Sequence, residues 1–259
     1  MTVTYAEYLD LDRILAAQHP RSGAHDEMLF IVIHQASELW LKLCLHELAE
    51  ARRTIAADRL DPAFKMMARV SRAQGQLIQS WEVLSTMTPS DYSAIRPHLG
   101  PSSGFQSRQY REMEFMLGSR NAAMIDLHTP EDQAMLTAEL SKPSLYDEAL
   151  ALLARRGLAI PQDHLGRDLA APYVASDAVT AAWATIYADP ARYWDLYELA
   201  EKLVDLEYHF QLWRFGHLKT VERVIGYKRG TGGTAGVPYL AQVVGKPFFP
   251  ELLSVRTTL

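Results

Sequence analysis

The chain has 259 residues, of which 48% are hydrophobic and 22% charged, enough apolar material for one large core and too much for a mainly disordered chain. Lys and Arg total 26 against 31 Asp and Glu, a formal net charge of −5 with no basic stripe, so nucleic acid is not an expected partner. The single cysteine, Cys44, and the absence of a C-x-x-C-H motif exclude an internal disulfide and thioether attachment of a cofactor.

From Met1 to Asp12 there is no basic residue leading into an apolar stretch, so no secretory or transit signal is visible and a cytoplasmic location is the default expectation. The longest purely apolar run, Met28 to Ile33, falls far short of the roughly 18 consecutive residues of a membrane span, so no membrane is expected as a partner. From Asp26 to about Arg53, Leu29, Ile33, Ala36, Trp40 and Leu43 recur at steps of four and three, which predicts a long helix. A second helix is predicted from Ala63 to Met87 on Met66, Val70, Ala73, Leu77, Trp81 and Leu84, with Asp61 and Pro62 as its start signal. Shorter helices are predicted at Ser107 to Met116, Glu131 to Leu140, Ser144 to Arg156 and Ser176 to Ala188, and Ile160 to Tyr173 reads as a loop or linker. The longest helix is predicted from about Ala191, carrying Leu199, Leu203, Leu206, Phe210, Trp213, His217, Thr220 and Val224 on one face until Gly226 ends it. Nothing alternates as a strand would. The expected architecture is an all-α bundle, one domain over 1–259, with long core helices and a smaller helical segment inserted at about 120–190.

Nine histidines invite a metal site, but no Glu-x-x-His exists for a di-iron bundle, and His46 to Glu50 puts glutamate where H-E-x-x-H needs its second histidine. His217 and His34 remain, each on a long apolar helix. Such a histidine is either a hydrogen-bonded core residue or a ligand, and a neutral imidazole in an apolar slot is what axial haem ligation requires. Tyr92 and Arg96 lie one helical turn apart if Asp91 to Arg96 is helical; they could hold a carboxylate or sit on a solvated turn. Gly100 to Ser107 is a small-residue loop leading into a helix. Gly226 to Gly236 places five of the chain's 14 glycines directly after the His217 helix, either as a flexible linker or as a cover over a bound molecule; it is not a phosphate loop, because no strand precedes it.

Four stretches together are specific. They are Thr4-Tyr5 with Tyr8-Leu9; His25-Asp26-Glu27 through Phe30, His34 and Glu38-Leu39-Trp40; Ser102 to Ser107 with Gln109-Tyr110-Arg111; and Trp213-Arg214 through His217 to Gly230-Thr231-Gly232-Gly233-Thr234. In this combination the chain resembles the tryptophan 2,3-dioxygenases. The resemblance implies a haem b enzyme that inserts both atoms of O2 across the indole C2–C3 bond of L-tryptophan, giving N-formyl-L-kynurenine, the first step of the kynurenine route of tryptophan degradation. It implies His217 as proximal iron ligand and His34 as the distal residue that hydrogen-bonds the indole N–H. Tyr92 and Arg96 match the carboxylate-binding pair, Thr231 a loop residue contacting the substrate's amino-acid group, and Phe30 the wall beside the indole. Ser103 and Gly104 match the loop near haem and substrate. Tyr5, Tyr8 and Leu9 match residues that reach a neighbouring subunit's site in the family's homotetramer. The alternative is a non-catalytic haem-binding sensor or carrier.

Overall fold

A computed structural model describes residues 3–231 and 235–259; among them every regular element is helical. Two short helices, α1 (Tyr5–Leu9) and α2 (Leu11–Leu15), bury no side chain and pack chiefly on each other. The frame is three long helices, α3 (Glu27–Ala56), α4 (Leu60–Leu84) and, later in the chain, one over Trp194–Val224. The α4 helix begins earlier than its proline suggests: Leu60 starts it and Pro62 is in its first turn, where a missing N–H removes no helical bond.

Between α4 and the last long helix come α5 (Pro89–Leu99), α6 (Arg108–Leu117), α7 (Pro130–Leu140), α8 (Leu145–Arg155), α9 (Gln162–Leu165) and α10 (Asp177–Ala188). The long helix is α11 (Trp194–Val224), followed by α12 (Val237–Val244) and α13 (Pro250–Ser254). Side-chain caps fix several of these starts. Thr88 and Asp91 form a reciprocal capping box at α5, Ser144 and Asp147 do so at α8, and Ser107 caps α6. The segment 160–173, expected as loop, contains the single turn α9, and a 3-10 segment at Ala122–Leu127 was not anticipated.

Both α3 and α11 pack along α4, and α3 also meets α6 and α8. The core is built from Leu41, Cys44, Leu48, Ala51 and Ile55 of α3, from Met67, Val70, Ala73 and Leu77 of α4, and from Leu199, Leu203, Leu206 and Phe210 of α11. The predicted α4 and α11 faces are therefore buried much as their spacing indicates. The α3 face is corrected: Trp40 is on the surface, and Leu29 and Ile33 are only partly buried, against a second cluster with Tyr92 and Ile95. The reason is that α3 is apolar on more than one face, so its spacing admits more than one stripe. By length and mean hydropathy it is also the described helix apolar enough to cross a membrane.

Residues 144–186 share the main core through Leu145, Tyr146, Val179 and Trp183. Glu251 of α13, 1% exposed, ties this segment to the C-terminus by accepting hydrogen bonds from Tyr146 Oη (2.9 Å), Tyr173 Oη (2.7 Å) and the Ser176 N–H (2.9 Å).

Candidate active site

Helices α3, α4, α5, α6, α11 and α12 enclose one cavity of about 1050 Å³. Phe30, His34, Tyr92, Ser103, Gly104, His217 and Thr231 all line it, so the fold brings together residues spread over 200 positions of chain. Arg96 does not line it. Tyr5, Tyr8 and Leu9 do not either; the two tyrosines are 76% and 81% exposed on the surface hairpin.

His34 Nδ1 lies 2.7 Å from the Phe30 carbonyl oxygen, one turn back along α3. A carbonyl can only accept, so Nδ1 carries the proton. Burial of the ring pulls its basicity below the ordinary histidine value, outweighing the pull of Glu38, so the neutral form prevails. The remaining nitrogen, Nε2, then has a lone pair and acts as an acceptor. The Phe30 ring sits 4.2 Å from the imidazole at a tilt of 36° and 6.5 Å from the Tyr92 ring at 44°, giving one aromatic wall.

His217 comes from α11, the helix face that carries Phe210 and Trp213. Its pKa is lowered to about 4, first by burial and then by the charge of His34. Among the described residues, no three His, Cys, Asp or Glu side chains converge as a cage for a bare ion. The donor set is one neutral imidazole in a cavity walled by Trp81, Trp213 and Tyr110, which suits a flat macrocyclic cofactor that brings its own equatorial ligands.

At the cavity's polar end, α5 is helical as the Tyr92–Arg96 spacing requires. Tyr92 is buried, not on a solvated turn, and burial raises its pKa against the opposing charge of Arg96. The Arg96 guanidinium donates to the Arg229 carbonyl at 2.6 Å, and Thr231 Oγ1 donates to the Ser102 carbonyl at 2.6 Å. These two bonds tie the glycine-rich loop to α5 and to the loop before α6. Gly236 closes it at φ +67°, where an added Cβ would stand 2.9 Å from the Lys228 carbonyl oxygen. Gly232, Gly233 and Thr234 of the matched loop lie outside the described residues. Gly104 faces open space, since an added Cβ there meets nothing within 4 Å.

Sequence reasoning missed a polar cluster on the wall beneath His217. Buried Glu114 accepts from Tyr110 Oη (2.9 Å), from Arg111, and from Arg214 Nη2 (2.7 Å). Arg214 also donates to the carbonyls of Val243 (3.2 Å) and Lys246 (3.0 Å) and lies over the Phe210 and Phe248 rings. The cluster locks α6 and α11 together one turn from His217. The signal was there in part: Gln109-Tyr110-Arg111 and Trp213-Arg214 stood out as a pattern, but nothing in the sequence paired them.

Two imidazoles on facing helices line one aromatic cavity of an all-α protein, with Tyr92 beside them in the lining and Arg96 one turn further along α5: an arrangement with the makings of an enclosed ligand site. Comparison with known proteins narrows the reading. The family model for tryptophan 2,3-dioxygenase matches residues 1–135 and 125–259. Tryptophan 2,3-dioxygenase of Erythrobacter litoralis is 71% identical over 259 residues, covering 99% of this chain and 98% of that protein. Its counterpart in Polaromonas naphthalenivorans is 58% identical over 259 residues, covering 99% and 92%. Tryptophan 2,3-dioxygenase 1 of Ralstonia nicotianae is 58% identical over 260 residues, covering 100% and 88%. The chain belongs to the tryptophan 2,3-dioxygenase family.

Proposed function

We propose that this protein is a haem b dioxygenase that opens the indole ring of L-tryptophan with O2 to give N-formyl-L-kynurenine, the first step of tryptophan degradation by the kynurenine route. The observation that carries the reading is the placement of the two histidines on one cavity: burial favours the neutral imidazole of His217, able to hold iron, and the His34 Nδ1 contact with the Phe30 carbonyl leaves Nε2 to accept the indole N–H. Haem bound through His217 would supply the iron that activates O2. The chain's own residues bind and orient. Phe30 and His34 form the wall along which the indole lies, with His34 fixing its rotation through the N–H. Tyr92, Arg96 and Thr231 hold the carboxylate and ammonium, with Arg96 releasing the Arg229 carbonyl as it takes the carboxylate. Ser103 and Gly104 line the cavity and would border the cofactor and substrate held there. Holding both ends of the amino acid supplies the orientation, and no strong base is needed. The relatives' names favour catalysis over the sensor or carrier alternative.

The protein is proposed to be a cytoplasmic homotetramer, with Tyr5, Tyr8 and Leu9 reaching a neighbour's site. Exposed apolar side chains on α3 (Val32, Leu39) and α11 (Tyr208, Leu212, Phe215), besides the N-terminal hairpin, support an assembly. The function is tested by mixing reduced, haem-loaded protein with L-tryptophan and air and following N-formylkynurenine; haem without product would leave the sensor reading in place. Light scattering tests the assembly.

A further inference from the structure

A metal-binding histidine is ordinarily oriented by a hydrogen bond from its second nitrogen to a carboxylate or carbonyl. Among the described residues no group hydrogen-bonds either nitrogen of His217. What touches the imidazole instead is aromatic. The Trp81 indole, from α4, lies parallel to it at 4.8 Å between centroids and 8° between planes, while Trp213 stands at 5.6 Å and 38°. Trp81 is itself held by shape. Its buried Nε1–H meets no hydrogen-bond partner among the described protein groups, so ring packing and not a protein hydrogen bond fixes its place. Its Cδ1 occupies the point where a side chain on Gly216, the residue just before His217, would begin: an added Cβ would be 2.7 Å away.

We propose that Trp81 is a positioning residue whose indole face sets the plane of the His217 imidazole, and that Gly216 keeps open the seat the indole fills. The inference rests on the haem reading above. Ring stacking resists rotation about the Cβ–Cγ bond of His217 because tilting the imidazole pushes its edge into the indole face. A glycine in mid-helix is otherwise unfavourable by its backbone freedom, and here the approach of Trp81 explains it.

The test uses the haem-loaded protein with Trp81→Leu, Trp81→Phe and Gly216→Ala. Two quantities are read in each: the iron–histidine stretching band of the ferrous form by resonance Raman, and the rate of haem transfer to an apoglobin scavenger. Thermal unfolding of the haem-free forms runs alongside. Trp81→Leu and Gly216→Ala are expected to shift or broaden the band and to speed haem loss about tenfold or more, while Trp81→Phe, which keeps a flat ring, stays near the parent. An unchanged band in both Trp81→Leu and Gly216→Ala, or a Trp81→Phe as disturbed as Trp81→Leu, would overturn the proposal and leave the haem reading intact. Because Gly216→Ala removes nothing from the core, it stands in if Trp81→Leu does not fold. A parent protein that takes up no haem would overturn both readings, and is told apart by its featureless visible spectrum.

Discussion

His34 on α3 and His217 on α11 line the same cavity closely enough that the charge of one lowers the basicity of the other, and burial lowers both. The pair therefore favours states in which at least one ring is neutral, and at neutral pH both are. The two tasks proposed for these rings, holding a cofactor and accepting a substrate N–H, need this state.

The acid limb of activity follows from it. Protonated His34 has no acceptor for the indole N–H, so kcat/KM is expected to fall as pH drops through the His34 pKa. That pKa lies below the ordinary value near 6.5 because burial favours the neutral ring. A pH profile of kcat/KM checks this, and His34→Ala should lower the plateau, keep bound haem and remove that limb.

Arg96→Ala should weaken tryptophan binding while haem content stays at the parental level. A charge-assisted hydrogen bond to a desolvated carboxylate is worth about 1.5–3 kcal/mol, so the dissociation constant should rise by roughly 10- to 100-fold. A spectral titration of the reduced protein reads both quantities at once.

Gly236→Ala places a side chain against the Lys228 carbonyl in a left-handed backbone conformation. The loop that carries Thr231 should then close poorly, raising KM for tryptophan several-fold, and thermal stability should fall by about 1 kcal/mol or more. Steady-state kinetics and a melting curve separate the two effects.

Glu251→Ala removes the acceptor of three hydrogen bonds, one buried and two part-buried, joining α8, the 173–176 segment and α13. The unpaired Tyr146 and Tyr173 hydroxyls should cost about 2–4 kcal/mol in a denaturant titration, although the residue is outside the cavity lining.

Much of this bundle is legible in its sequence, for physical reasons that differ from helix to helix. On α4 and α11 the four-and-three spacing coincides with the stripe that packs inward, although α11 also carries exposed Tyr208, Leu212 and Phe215, so their spacing identifies the buried residues and carries His217 to the cavity wall. On α3 the apolar residues surround the helix, and spacing alone selected Trp40 where packing selects Leu41, Cys44 and Leu48. His34, Tyr92 and Thr231 could be placed through the family resemblance. Trp81 could be read only as core, since its contact with His217 joins positions 136 apart, and Gly216 had no visible role until the indole was seen against it. The Glu114 cluster was hidden for the same reason: hydrophobic period reports which face is buried, not which buried charges meet.

His217 is the residue on which the account depends most, and the direct measurement is the absorption spectrum of purified His217→Ala beside the parent, each expressed with haem supplementation, reduced, and then given L-tryptophan and air. The account predicts a parent with a haem spectrum perturbed by tryptophan and followed by N-formylkynurenine, and a variant with little haem and no product. Full haem occupancy in His217→Ala, or a colourless parent, would contradict it.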